Sequence, residues 1–113
     1  MNRSIGMKSS YALIAKSVDS EITKISAGNF ALGFESKSGL FVVQYYGRSD
    51  TDLNHEIKNW IGKYKRFKFF YASSPKNAFE KECKNYHAFD KNKIDNKTHP
   101  EKPENTDYTC PYC

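Results

Sequence analysis

Three groups of residues in this chain have types and spacings that chemistry uses. Cys110-Pro111-Tyr112-Cys113 is half of a zinc knuckle, and Cys83 and His87 stand at the i, i+4 interval that puts both on one helix face. Together these four would make a tetrahedral set of three thiolates and one imidazole, with His99 as a competing nitrogen ligand. A structural Zn²⁺ held there would pin the tail to the last helix and add folding energy; a buried, inert thiol at Cys83 is the competing reading. Tyr45-Tyr46-Gly47-Arg48 offers phenols, a point of close backbone approach and a permanent cation. "KYKRFKF" interleaves Lys63, Lys65, Arg66 and Lys68 with rings, which suits phosphate contacts beside stacked bases. An edge strand guarded by lysines would read the same way. His55 and Glu56 are adjacent on a helical pattern and so point to different faces, which excludes them as an acid-base pair. No Gly-rich phosphate loop, HExxH or nucleophile triad spacing occurs.

The elements that must position these groups follow from periodicity. In "YALIAKSVDSEITKI", Leu13, Ile14, Val18, Ile22 and Ile25 fit one face of a first helix. "FALGF" and "GLFVVQYY" alternate as two strands joined by the polar turn 35–39. Ser49 or Asp50 is placed to cap a helix whose apolar positions are Leu53, Ile57, Trp60 and Ile61, ended by Gly62. "FKFFYA" is a third strand with Phe67, Phe69 and Tyr71 on one face. Ser74-Pro75 then opens a last helix with Phe79, Cys83 and Tyr86 inward. Strand alternation sends Tyr45 and Tyr46 to opposite sides. The expected fold is α+β: a small three-stranded, mostly antiparallel sheet flanked by helices over residues 1–89, then a Pro/Asn/Lys-rich tail over 90–113.

Composition narrows the function classes. At 113 residues the chain has room for one hydrophobic core, and eight Phe, eight Tyr and one Trp make that core aromatic. The net charge is +5. Residues 90–113 hold four Lys against five Asp and Glu, so the excess of positive charge belongs to the body, where it favours an acidic partner such as nucleic acid. No signal peptide and no bilayer-spanning run occurs, so a cytoplasmic protein without a membrane partner is expected. Three cysteines, an odd number, argue against a disulfide framework.

"GNF" at 28–30, "YYG" at 45–47, "DLNHEI" on a helix, then a strand and a glutamate-bearing helix resemble the GIY-YIG endonuclease layout. The strings "YYGRSDTDLN", "GKYKRFKFFYASSPKNAFEKECKNYH" and "DNKTHPEKP…CPYC" resemble a small bacterial subgroup of that superfamily. The resemblance implies metal-dependent phosphodiester hydrolysis with Mg²⁺ on Glu82, the best match to the family's glutamate, with Glu80 as runner-up. Tyr45 would orient or deprotonate water, and Asn96 would match a late asparagine. Three departures qualify this. Phe30 replaces the first tripeptide's tyrosine, and the tripeptides stand further apart than the family's. Glu56 occupies the position of the family's phosphate-holding arginine, where a carboxylate repels phosphate. Arg48 or Lys58 is then left to take that role. The expectation is a divergent nuclease or a nuclease-derived protein that binds DNA or RNA; the alternative is a non-catalytic protein-interaction or inhibitor protein.

Overall fold

The order of elements is β1 (Tyr11–Ala12), α1 (Ala15–Glu21), β2 (Gly28–Glu35), β3 (Phe41–Ser49), α2 (Leu53–Lys58), β4 (Arg66–Tyr71) and α3 (Pro75–Ala88). The structure is a computed structural model that describes residues 10–88, 94–96, 100–103 and 106–112. It is an α+β fold, with one sheet of strand order β1-β4-β2-β3, antiparallel throughout.

The sheet has four strands where three were expected. Tyr11 and Ala12 pair with Phe67 and Arg66, because the Tyr11 ring gains more against Phe67 and Phe69, at centroid distances of 5.6 and 6.2 Å, than a first helical turn would give it. The helical pattern therefore begins late and stops early. Leu13, Val18 and Ile22 reach the core as expected, whereas Ile14 and Ile25 are exposed. Helix α2 is also shorter than its pattern. Its N-cap is Asp52, whose carboxylate accepts from the His55 N–H, while the Ser49 hydroxyl accepts from Thr51 and Asp52 one step earlier. The chain leaves the helix before Trp60, and Gly62 takes a turn conformation at φ 91°. The last helix starts as read: Ser74 accepts from the Asn77 N–H and Pro75 is the first helical residue.

Two layers cover the two faces of the sheet. On the first, Phe30, Leu32 and Phe67 pack with Val18 of α1 and with Leu53 and Ile57 of α2. On the second lie α3 and residues 94–96, over Ala31, Phe41 and Tyr46. A β-bulge decides which β3 side chains go where. Leu32 pairs with Tyr45 but Gly33 pairs with Val43, so Gln44 is the extra residue. Gly33 permits this close approach, since a Cβ there would lie 1.9 Å from the Val42 carbonyl oxygen. Phe41 and Val43 face α3; after the bulge Tyr45 and Gly47 face α2, and Tyr46 and Arg48 face α3.

Candidate functional site

The second face carries an unusual row of polar groups. In register across the sheet stand Phe70, Asn29 and Arg48, then Lys68, Ala31 and Tyr46. Asn29 is fully buried and donates its Nδ2 to the Ala78 carbonyl of α3 at 2.9 Å, while its Oδ1 has no hydrogen-bond partner. One helical turn beyond Ala78, Glu82 accepts from Arg48 Nη1 at 2.6 Å. Arg48 Nε donates to Asp50 at 2.8 Å, and the guanidinium carbon lies 5.1 Å from the Phe79 ring centroid. Arg48 and Glu82 side chains are both 11% exposed. Burial works against the Arg48 charge, but hydrogen bonds and the fields of Asp50 and Glu82 outweigh it and hold the guanidinium above its ordinary pKa.

Of the three residues expected to do chemistry, the fold brings Arg48 and Glu82 together and turns Tyr45 to the other face. Tyr45 packs against Trp60 at 4.5 Å between centroids, and beside Phe30 and Tyr64. Burial raises its pKa, with smaller contributions from the Glu82 and Glu56 charges. The tyrosine on the Arg48 face is Tyr46, 1% exposed, its pKa raised by burial. Its backbone N–H and C=O are both bonded by the Asn96 amide, at 2.9 and 2.7 Å. Phe30 is buried against Gly47, where a Cβ would come within 2.4 Å of its ring.

The basic residues expected to contact nucleic acid, Lys58 on α2 and the run at 63–68, are dispersed. Lys58 is paired with Asp19 at 2.6 Å, and Arg66 donates to the hydroxyl and carbonyl of Ser10. Lys63 reaches over the Trp60 ring and Lys65 is exposed. Lys68 goes to the second face, buried over Phe41, and burial lowers its pKa. A basic cluster missed by sequence stands beside the Arg48–Glu82 pair instead. Lys84 of α3 is exposed, and Lys81 lies 5.5 Å from the centroid of the exposed Phe70 ring. Burial, then repulsion from Lys84, lowers the Lys81 pKa. Positions 81 and 84 share a helix face, a sparser signal in the sequence than the basic run at 63–68.

Cys83 is buried on α3, His87 is exposed with its ring edge-on to Tyr86, and Cys110 is half-buried. Cys113 and His99 lie outside the described residues. Among the described residues no three His, Cys, Asp or Glu side chains are grouped as a metal site, and no helix is long and apolar enough to cross a membrane.

The class this fold and site define is a small α+β protein with a four-stranded antiparallel sheet and a buried ion pair joining its outer strand to its last helix. Compared with known proteins, the chain matches no family model, no curated protein and no solved structure.

Proposed function

We propose that this chain is a divergent, nuclease-derived nucleic-acid-binding protein of GIY-YIG-like layout, in which Arg48 and Glu82 form the phosphate-and-metal centre. The observation that carries this is the 2.6 Å contact between the arginine that follows "YYG" and the glutamate of α3. Two further features support it: "GNF" and "YYG" lie on adjacent strands with Phe30 opposite Gly47, and Lys81, Lys84 and Phe70 stand beside the pair.

The pair is built for exchange. A phosphodiester offers Arg48 an anion in place of Glu82, with the planar guanidinium able to hold two phosphoryl oxygens. Glu82, so released, and Asp50 are an oxygen donor set of the kind Mg²⁺ takes, completed by water and phosphate. When bound, the cation supplies a Lewis acid that neutralises charge on the phosphoryl oxygens. Lys81 and Lys84 add phosphate contacts, and Phe70 offers a face for a base. Tyr46, held as a neutral phenol by burial, is not a general base at neutral pH, and Tyr45 faces away. The site therefore has groups to bind a phosphodiester but no positioned general base to hydrolyse it. A non-catalytic protein is the second reading, favoured by Phe30 and by the orientation of Tyr45.

Fluorescence anisotropy with single-stranded DNA, duplex DNA and RNA over a salt series tests binding. Affinity should fall steeply with salt, and Lys81→Glu with Lys84→Glu should weaken it at least ~10-fold. Salt-independent or undetectable binding rejects the nucleic-acid reading. Cleavage in Mg²⁺ or Mn²⁺ should vanish in Glu82→Gln; cleavage unchanged in that variant rejects the assignment of Glu82. If Cys83 and His87 of α3 hold zinc with Cys110 and Cys113, protein purified without chelator should carry one equivalent, and less than about a tenth rejects that site.

A further inference from the structure

At the end of the sheet opposite Arg48, the chain before α1, the end of β2 and the turn into β4 surround an open groove of about 1010 Å³. Measured along β2 from Asn29 to Phe34, the two sites are about 17 Å apart. Leu13, Ile14, Phe34 and Ile61 line the groove, and the last three are 49%, 38% and 38% exposed. Large apolar side chains open to solvent at one place mark a contact surface. Lys63, Lys65 and Arg66 line it too, against one carboxylate, Glu35, so the groove is cationic as well as greasy.

The lining discriminates between occupants. Bases need open ring faces, and here Tyr64 is stacked beside Tyr45 and Trp60 with its hydroxyl donating to Asp95 at 2.7 Å. That leaves Phe34 among aliphatic side chains, which pack best on other aliphatic side chains. The chain's own leader is the wrong sign: the nine residues before Ser10 include Arg3 and Lys8 and no Asp or Glu. A second copy of a chain with net charge +5 is disfavoured for the same reason.

We propose that this groove docks a protein segment with Leu, Ile or Val side chains flanked by Asp or Glu. The apolar residues would sit on Ile14, Phe34 and Ile61, and the carboxylates would meet Lys63, Lys65 and the guanidinium that Ser10 holds in place. This surface is separate from the Arg48–Glu82 centre and stands or falls apart from it.

A random-peptide phage library panned on the folded chain tests the proposal, followed by titration of the enriched peptides into ¹⁵N-labelled protein. Enriched sequences should be acidic and aliphatic, and should move the amides of Phe34, Ile61 and Lys65. Ile61→Asp, and separately Lys63→Glu with Lys65→Glu, should weaken them at least ~10-fold, while Lys81→Glu with Lys84→Glu leaves them unchanged. The groove substitutions are at exposed positions, and circular dichroism verifies the fold. Failure to enrich any peptide, enrichment of basic ones, or indifference to the groove variants overturns the proposal. So does displacement of the peptide by oligothymidylate that moves the same amides, which would make the groove a nucleic-acid site. Undetectable nucleic-acid binding, with the peptide still weakened by the groove variants, would reject the proposed function and leave this one standing.

Discussion

The two faces of one sheet are built by opposite rules. The α1/α2 face buries Phe30, Leu32, Phe67, Leu53 and Ile57, which need nothing from their neighbours but contact. The α3 face buries Asn29, Tyr46, Lys68 and Glu82 and half-buries Arg48, each of which must be satisfied by a specific partner. Burying charge costs free energy that packing of equal volume would not, so the α3 face is not the more stable solution. The apolar face holds the chain folded, and the polar face is where the phosphate and cation of the proposed function would have groups to meet.

Substitutions can break this contrast, starting with the greatest loss. Phe67→Ala, in the middle of the apolar face at 0% exposure, should cost about 3–5 kcal/mol in urea unfolding. Glu82→Ala should cost about 1.5–3 kcal/mol, less than a fully stranded charge, because Arg48 keeps Asp50. A loss as large as that of Phe67→Ala would mean that α3 depends on the pair for docking. Asn96→Ala removes two hydrogen bonds to the Tyr46 peptide and should cost about 1–2 kcal/mol, with faster hydrogen exchange at the Tyr46 amide.

Lys68→Met has the smallest expected effect and the opposite sign, a gain of roughly 0.5–2 kcal/mol. It also carries a pH signature. Burial depresses the Lys68 pKa in the folded chain below its ordinary 10.5, so between those two values the unfolded chain binds more protons. Stability of the wild type should therefore rise with pH through that alkaline window, and the rise should be flatter in Lys68→Met. An identical slope in both proteins would place the titration elsewhere.

Most of the fold was legible because helices and strands announce themselves through local periodicity. The hairpin, β4 with its Phe67–Phe69–Tyr71 face, and the Ser74-Pro75 start of α3 are all local features. What escaped was set by long-range contact. Tyr11 joins the sheet through rings fifty-odd residues away, and no alternation in two residues can reveal that. The orientation of Tyr45 escaped for a subtler reason. Adjacent tyrosines must face opposite ways, yet the bulge at Gln44 fixes which goes where, and it depends on Gly33 meeting Val42 across the hairpin. The meeting of Arg48 and Glu82 was the part of the site within reach. The scatter of Lys58, Arg66 and Lys68 into Asp19, Ser10 and the interior was not, because a basic run in sequence says nothing about which partners its members will find.

β3 is one of the two outer strands, and an outer strand exposes backbone groups on which another polypeptide can assemble. By clasping the Tyr46 peptide with one side-chain amide, while the Asp95 N–H donates to the Gln44 carbonyl, the tail caps that ladder where it is longest. The guard is covalently part of the molecule and so present at constant effective concentration, whatever the crowding around it. Protection of the backbone at this edge is then a property of the tail rather than of the sheet it covers.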